Sequence, residues 1–346
     1  MMSVSGVRGL VGEGMNPEVA ARFTAAFAIG LDEGVVVIGR DTRPSGPYIR
    51  DAVNVALRFG GFAVVDLGIV STPTVEIMVQ ELGASGGVII TASHNGSEWN
   101  ALKFLGPDGE FLSAERMEDM KNTVLSGEPV FSPPSEFGVL REDDSGDAVH
   151  IRKILDLSLI DREAVSSAGL TAVIDCVNGA GSLIIPALLG DLGVKVKELN
   201  TSTDAPFPHN PEPRPENLGD LSRAVCESKV DIGFAVDPDA DRLVLAGRSG
   251  KILSEEITLA VAADFVLRHE KGPVVANMST SRLLDWVGLQ HDVPVYRAKV
   301  GEAHVVAGMK EKDAVIGGEG NGGVIYPRLH YGRDAMVGIA LVLQSV

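Results

Sequence analysis

The chain has 346 residues, of which 45% are hydrophobic and 22% are charged. This composition is typical of a globular protein and excludes a disordered or fibrous chain. Acidic residues outnumber basic ones by 47 to 30, and the net charge of −17 argues against binding to nucleic acid or to an anionic membrane surface.

The sequence carries no signal for export or for a membrane. No basic segment followed by an apolar one opens the chain, and no apolar run approaches about 18 residues, so neither a signal peptide nor a membrane span is predicted. The two cysteines, Cys176 and Cys226, lie in apolar contexts without metal-ligand spacing, and we expect two buried small side chains rather than a disulfide. These features favour a cytoplasmic protein.

Short β-branched runs recur along the chain, each followed by a polar loop and then by a segment with helical spacing. This alternation predicts α/β architecture with mixed or parallel sheets. The polar loops are then expected at the carboxyl ends of strands, where ligands bind in such sheets. The six predicted strands are residues 35–38, 88–90, 172–174, 232–236, 274–276 and 314–316.

Proline and glycine mark helix ends and domain boundaries. Helices are predicted over residues 17–30 and 47–60, where a proline stands near the first turn and a glycine at the end. Residues 126–147, rich in Pro, Ser, Gly and charge, and 241–254, with a hairpin-like turn, are interpreted as linkers. The length allows two or three domains, and these linkers favour three. The predicted α/β domains are residues 1–147, 148–247 and 248–346.

Three carboxylates alternate along the aspartate loop (residues 237–242), at Asp237, Asp239 and Asp241. Oxygen ligands in such an arrangement can converge on one hard cation such as Mg²⁺. An EF-hand calcium loop is excluded, because its sixth and twelfth positions are Arg242 and Arg248 instead of glycine and glutamate. A solvated acidic turn is the alternative, disfavoured because a buried strand would bring the carboxylates together against their repulsion.

The serine loop (residues 91–96, TASHNG) offers Ser93 as a nucleophile. The loop does not match the G-x-S-x-G motif of a nucleophile elbow. His94 is the next residue in an extended segment, so its side chain is expected to point away from Ser93. A hydrolase triad is therefore poorly supported. Lys103 is a candidate base. From the loop alone, the alternative that Ser93 caps a following helix and that Lys103 is a surface residue stays open.

Cations and a second polar loop add candidate ligands for a phosphorylated sugar. The arginines on glycine- or turn-rich loops, where backbone N–H groups can also face an anion, are Arg8, Arg40, Arg43 and Arg242. Each alone is more often a surface or ion-pair residue. In the glycine-rich loop (residues 317–323), Glu319 and Asn321 can hold sugar hydroxyls, whereas the G-K-[ST] ending of a phosphate loop is missing.

Together these loops make the chain resemble the α-D-phosphohexomutase superfamily. The matching motifs, in sequence order over essentially the whole chain, are Ser5-Gly-Val-Arg-Gly9, Thr91-Ala-Ser-His-Asn95, Asp237-Pro-Asp-Ala-Asp-Arg242 and Gly318-Glu-Gly-Asn-Gly322. They look like the family's arginine, phosphoserine, metal and sugar-recognition loops. The resemblance implies three α/β domains around a shared central cleft, in a monomer or homodimer.

The resemblance also implies a reaction and a role for each matching residue. A hexose 6-phosphate and its 1-phosphate would interconvert through a phosphoserine enzyme and a bound hexose 1,6-bisphosphate. Mg²⁺ would be held by the phosphate on Ser93 and by Asp237, Asp239 and Asp241. From the family and the loops together, the residues assigned to catalysis are Ser93, Lys103, Arg8 and His94, and those assigned to substrate binding are Arg43, Arg242, Lys299, Glu319 and Asn321.

Two departures from the family pattern bear on substrate and length. Asn321 and Gly323 replace the serine and histidine of G-E-x-S-G-H, a variant similar to the archaeal-type phosphoglucosamine mutase branch, which favours glucosamine 6-phosphate. Phosphomannomutase or phosphoglucomutase activity is the alternative, and a phosphatase-like or phosphosugar-binding protein a further one. The family's fourth, C-terminal phosphate-binding domain is expected to be missing, because the chain ends at Val346 in an apolar helix, and reduced mutase activity would follow.

Overall fold

A computed structural model of the protein describes residues 2–3, 6–127 and 131–346. The chain divides into two compact units, residues 1–147 and 148–346. Within the described residues, the helices lack the length and apolar character that crossing a bilayer requires.

The first unit is built on one mixed sheet. Its strands are β1 (Met2–Ser3), β2 (Gly6–Leu10), β3 (Val35–Arg40), β4 (Ala63–Ile69), β5 (Gly86–Ile90), β6 (Trp99–Leu105) and β7 (Leu140–Glu142). Its helices are α1 (Pro17–Ile29), α2 (Gly46–Phe59), α3 (Thr72–Glu81) and α4 (Ala114–Ser126). The strand order in the described chain is β1-β2-β6-β5-β3-β4-β7, with β3, β4, β5 and β7 parallel to their neighbours in that group and the β5–β6, β6–β2 and β2–β1 pairs antiparallel.

Local signals account for the first two helices, and both predictions are confirmed. The Asn16 side chain accepts a hydrogen bond from the Val19 N–H at 2.9 Å, and Pro17 occupies the first turn of α1, where its missing N–H costs nothing. Gly30 ends α1 and Gly60 ends α2. Both helices pack on the sheet through a buried cluster that includes Ile38 and Phe104.

The predicted linker at residues 126–147 contributes to the sheet, so that interpretation is wrong for part of it. β7 pairs in parallel with β4, and a short 3-10 helix spans Pro134–Glu136. Residues 128–130 lie outside the described chain. The strand escaped prediction because β7 is a three-residue, exposed edge strand with no apolar run to reveal it.

The second unit holds two four-stranded sheets, each mixed, in the described chain. Its helices are α5 (Gly146–Leu155), α6 (Arg162–Ala168), α7 (Gly181–Asp191), α8 (Gly219–Ser228), α9 (Glu256–His269), α10 (Leu283–His291), α11 (Glu302–Lys312) and α12 (Ala335–Gln344). Its strands are β8 (Thr171–Asp175), β9 (Lys195–Leu199), β10 (Ile232–Val236), β11 (Leu243–Gly247), β12 (Val274–Asn277), β13 (Val295–Ala298), β14 (Ile316–Glu319) and β15 (Gly323–Ile325). The strand orders are β11-β10-β8-β9 and β13-β12-β14-β15.

One large hydrophobic cluster contains residues of both sheets of the second unit. The cluster runs from Ile174 on β8 through Val266 on α9 to Leu343 on α12, and α12 is buried along its apolar length. The segment 241–254 is no linker, because its apolar run Leu243–Gly247 is a buried strand; its predicted hairpin turn and following helix are confirmed. The domain boundary near 247 stays a prediction.

The six predicted strands are all present, although the last begins at Ile316 rather than at residue 314. The strand–loop–helix pattern fails at the three loops that carry the candidate chemistry. The serine loop joins β5 to β6, the aspartate loop joins β10 to β11, and the glycine-rich loop joins β14 to β15, each pair being antiparallel. The candidate site residues therefore lie in loops that connect adjacent antiparallel strands, at the carboxyl ends of β5, β10 and β14.

The prediction of buried cysteines is confirmed for Cys176 and wrong for Cys226. Both thiols are free, and Cys176 is buried after β8, where burial raises the pKa of its thiol. Cys226 is exposed, because the buried face of α8 is formed by Leu221, Ala224 and Val225. The apolar residues next to Cys226 in the sequence suggested that it is buried, but in the helix they lie on a different face from Cys226.

The unfolding free energy of the second unit is expected to depend on His209. Its Nε2 lies 3.1 Å from Asp175 Oδ2 and its Nδ1 lies 2.9 Å from the Asn210 carbonyl, so the imidazolium can donate at both nitrogens. Burial lowers the pKa of His209, but the hydrogen bond and charge of Asp175 outweigh it and raise the pKa overall. The stabilisation is therefore full below the unfolded pKa of about 6.5 and is lost as pH rises through the folded pKa.

The measurement is a urea titration followed by Trp286 fluorescence in a Trp99→Phe background, which leaves one tryptophan in the chain. The difference in unfolding free energy between the parent protein and His209→Gln should shrink from pH 6 to pH 8. A difference that stays constant over this range would contradict the assignment.

Candidate active site

Ser93 is held in a strained backbone conformation by its own loop. Its φ angle is 49°, in the left-handed region that non-glycine residues seldom adopt. The Ser93 N–H donates to Thr91 Oγ1 at 2.9 Å, and Thr91 Oγ1 donates to Asp41 Oδ2 at 2.6 Å. The loop conformation is therefore fixed before any ligand arrives.

Arg43 lies beneath the serine loop and is fully buried. Its guanidinium donates to the backbone carbonyls of Ser93 and Asn95, the latter at 2.6 Å, and its Nε lies 3.3 Å from Asp41 Oδ2. Arg43 therefore holds the serine loop in place through these backbone carbonyls. Its predicted contact with a substrate stays a prediction.

The structure contradicts the expectation that His94 points away from Ser93, and also the alternative in which Ser93 caps a helix and Lys103 is a surface residue. The left-handed turn brings His94 Nδ1 to 3.4 Å from Ser93 Oγ, so the expectation that His94 points elsewhere is wrong. No helix follows within the described serine-loop segment, which runs straight into β6, so Ser93 caps none. Lys103 is buried on β6, opposite Ile89, with Nζ 3.4 Å from Thr72 Oγ1, and is no surface residue.

Arg8 joins the same group of side chains from β2. It pairs with Ala101 across the β2–β6 ladder, and its Nη1 donates to Asn95 Oδ1 in the serine loop. Ser5, the first residue of the arginine-loop motif, lies outside the described residues. In the first unit the structure therefore brings Ser93, His94 and Arg8 into one contiguous site, with Arg43 underneath.

The aspartate loop of the second unit presents three carboxylates to one another. Asp237, Asp239 and Asp241 are fully buried, and one carboxylate oxygen of each lies within 4.8 Å of the others. The Asp237 carboxylate accepts hydrogen bonds from the N–H groups of Asp241 and Arg242, both at 3.2 Å. The Arg242 Nε lies 3.9 Å from Asp237 Oδ2 and 3.7 Å from Asp241 Oδ1.

These carboxylates fit a divalent cation. Like charges this close in a buried site repel strongly, and a hard cation with carboxylate oxygen ligands removes that cost. The spacing of about 5 Å or less between their oxygens suits ligands that share one ion. Burial also excludes the alternative of a solvated acidic turn.

Glu319 in the glycine-rich loop accepts several hydrogen bonds. Its Oε1 accepts from Asn277 Nδ2 at 2.6 Å and from the Gly301 N–H at 3.1 Å, and its Oε2 accepts from Asn321 Nδ2 at 3.5 Å. Burial raises the pKa of Glu319, but the charge of Arg333 and the hydrogen bonds from Asn277 and Gly301 outweigh burial and lower the pKa. A sugar hydroxyl at Glu319 would have to replace one of these donors.

Lys299 lies in the exposed loop after β13. The same loop continues to Gly301, whose N–H donates to Glu319 as described. The loop that carries Lys299 is thereby hydrogen-bonded to the glycine-rich loop through Gly301.

Family models cover three consecutive stretches of the chain. They describe the α/β/α domains I, II and III of phosphoglucomutase/phosphomannomutase and match residues 2–129, 148–250 and 254–346. The chain belongs to the phosphoglucomutase/phosphomannomutase family. The predicted resemblance and the predicted α/β fold with mixed sheets are both confirmed.

Individual relatives support the same family assignment. A probable phosphoglucosamine mutase of Methanopyrus kandleri is 39% identical over 97% of this chain and 74% of its own length. A phosphoglucomutase/phosphomannomutase of Thermococcus kodakarensis is 37% identical over 98% of this chain and 75% of its own length. The crystal structure of a putative phosphomannomutase from Thermus thermophilus is 27% identical and superposes with a TM-score of 0.91, over 100% of this chain and 79% of that chain.

Sequence reasoning missed one buried residue of this phosphoglucomutase/phosphomannomutase family member. Arg333, after β15, donates to Asp241 Oδ2 at 2.6 Å, Glu302 Oε2 at 2.8 Å and Glu319 Oε2 at 2.9 Å. Burial lowers its pKa, but the three carboxylates raise the pKa overall. The available signal was an Arg-Asp pair immediately before an apolar helix, since charged residues in such a place are usually paired.

Proposed function

We propose that this family member is a Mg²⁺-dependent phosphosugar mutase that converts glucosamine 6-phosphate to glucosamine 1-phosphate. The observation that carries the proposal is the serine loop, in which a serine hydroxyl is held in a strained, prearranged turn beside an imidazole and an arginine. A covalent carrier needs such a fixed nucleophile, whereas mere binding of a sugar phosphate does not.

The proposed reaction consists of two phosphoryl transfers at Ser93. In the first, a sugar hydroxyl attacks the phosphorus of phospho-Ser93, the new O–P bond forms and the Ser93 Oγ–P bond breaks. Lys103 is the proposed acceptor of the hydroxyl proton, and the 3.4 Å separation supports His94 as the group that returns a proton to Ser93 Oγ. The bisphosphate then turns over, and the same steps run in reverse at the other end of the sugar.

Asp237, Asp239 and Asp241 would hold Mg²⁺, which supplies charge neutralisation for the phosphoryl oxygens when bound. Arg8, Arg242 and Lys299 are the proposed cationic contacts of the phosphate groups. Glu319 and Asn321 are the proposed contacts of the sugar hydroxyls. A cytoplasmic location and a monomeric or dimeric state stay predictions from the sequence.

The choice of glucosamine over glucose or mannose rests on the glycine-rich loop. Its Asn321 and Gly323 are the variant that favours the phosphoglucosamine mutase branch, and several relatives bear that name, the first at 39% identity. The relative named phosphoglucomutase/phosphomannomutase, at 37% identity, makes those two activities the alternative.

Phosphorus NMR distinguishes these activities. The protein is incubated with glucosamine 6-phosphate, Mg²⁺ and a trace of the 1,6-bisphosphate, and parallel samples contain glucose 6-phosphate or mannose 6-phosphate. Growth of the 1-phosphate signal fastest with the amino sugar is the expected result. Faster growth with glucose or mannose would overturn the substrate, and free phosphate alone, or no change in any sample, would overturn the mutase proposal.

Asp239→Asn is expected to weaken divalent-cation binding by at least about 100-fold, because it removes one of three ligands from the site. Mn²⁺ serves as the probe for Mg²⁺, and its free concentration is followed by electron paramagnetic resonance. Asp220→Asn is the control, since Asp220 is an exposed acidic residue on α8. Equal Mn²⁺ affinity in both variants would contradict a metal site at the aspartate loop.

A further inference from the structure

Arg333 connects two loops and the start of helix α11 in the second unit through one guanidinium group. Its Nη2 binds the aspartate loop at Asp241, its Nη1 binds the glycine-rich loop at Glu319, and its Nε binds Glu302 at the start of α11. Glu302 also accepts the Arg333 backbone N–H at 3.0 Å. The residue is 8% exposed, so these ion pairs are shielded from water and from salt.

Only an arginine can make this set of contacts. Its planar fork directs separate N–H groups at separate carboxylates, whereas a lysine ammonium is a single point charge. Space for the fork comes from Gly323, where a Cβ atom would lie 2.3 Å from Arg333 Cδ. A side chain larger than hydrogen at residue 323 would therefore collide with the Arg333 side chain.

We propose that Arg333 is a positioning residue that couples cation binding at the aspartate loop to sugar binding at the glycine-rich loop. The inference rests on the proposed function. Arg333 fixes Asp241 Oδ2, which leaves the orientation of that ligand dependent on the arginine. A hydroxyl that takes the place of a donor at Glu319 changes the contacts of the same guanidinium, and such a coupling must act in both directions.

Arg333→Lys tests this coupling, because it keeps the charge and removes the fork. We expect the dissociation constant of Mn²⁺ to rise about 10- to 100-fold, the usual effect of losing a residue that orients a metal ligand. The affinity for glucosamine 6-phosphate, measured calorimetrically without metal, should fall as well. Asp239→Asn should weaken only the binding of Mn²⁺.

Arg297→Lys is the matched control. Like Arg333, Arg297 is an arginine of the second unit with several acceptors, including Asp285 at 2.6 Å and the Thr280 carbonyl at 2.8 Å. It is partly buried and does not contact the aspartate loop in the described structure. It should lose stability without a change in Mn²⁺ affinity. A purely structural role for Arg333 predicts that Arg333→Lys behaves in the same way, and that result would overturn the inference.

Gly323→Ala provides a second route if Arg333→Lys does not fold. It leaves every charge in place but crowds the guanidinium, and we expect the Mn²⁺ dissociation constant to rise here too, by less than about tenfold. Unchanged Mn²⁺ affinity in a folded variant at either position would overturn the inference. Failure of the wild-type protein to bind Mn²⁺ would instead contradict the proposed function, and the inference would fall with it.

Discussion

Ser93→Ala is expected to reduce phosphoryl transfer by at least about 10⁴-fold, the scale on which enzymes lose activity with their covalent nucleophile. The half-reaction is the clearest readout. Incubation of the protein with glucose 1,6-bisphosphate and Mg²⁺ should add one phosphoryl group to the wild-type chain by intact mass, on a peptide that contains Ser93. The alanine variant should gain none.

Ser97→Ala is the matched control, because Ser97 follows the same loop by one residue and its side chain is exposed. It should accept the phosphoryl group like the wild-type protein. Mn²⁺ affinity should be unchanged in both variants when no phosphate is present. Phosphorylation of Ser93→Ala at a wild-type rate would remove Ser93 from the mechanism.

Arg43→Met is expected to lower the unfolding free energy of the first unit by about 3–5 kcal/mol, because it removes one partner of the buried Asp41–Arg43 ion pair. It also removes the donors that the carbonyls of Ser93 and Asn95 share. The measurement is a urea titration followed by Trp99 fluorescence in a Trp286→Phe background. Trp99 opens β6, close in sequence to the serine loop, and so reports on this unit.

A double-mutant cycle separates the ion pair from the lost hydrogen bonds. Asp41→Asn combined with Arg43→Met should be less destabilised than the sum of the single variants, by about 1–3 kcal/mol, because the double variant no longer buries the Asp41 charge without its arginine. Strict additivity would show that the Asp41–Arg43 pair does not stabilise the loop.

Some features of the protein follow from local chemistry and were predictable. Helix α1 begins where Asn16 caps and Pro17 fits, and it ends at a glycine, so its limits lie within a residue of the prediction. The central strands are continuous β-branched runs, which only a strand buried on both faces explains well. Asp237, Asp239 and Asp241 are nearest neighbours on a single loop, so their convergence needed no long-range information.

Other features depend on what a residue meets far along the chain. Strands β6, β11 and β15 were not among the six predicted strands, because a helical segment was expected after each polar loop and the local sequence does not show that the chain returns beside the preceding strand. The local sequence around Arg43 predicts a phosphate ligand on a turn. The carbonyls that it contacts, those of Ser93 and Asn95, lie about fifty residues away, and the Arg43 side chain is completely buried. The β7 edge strand gave no apolar signal at all.

Local sequence was sufficient to predict the family, the α/β class and the residues on the serine, aspartate and glycine-rich loops, because motif spacing, turn residues and apolar runs act over a few neighbouring positions. The contacts that hold these loops in place became visible only in the folded chain. His94 turned toward Ser93 because the backbone there is left-handed, and Arg333 became the centre of the second unit's site because three carboxylates from separate loops meet around it. Burial of a charge is settled by distant partners, which the local sequence does not contain.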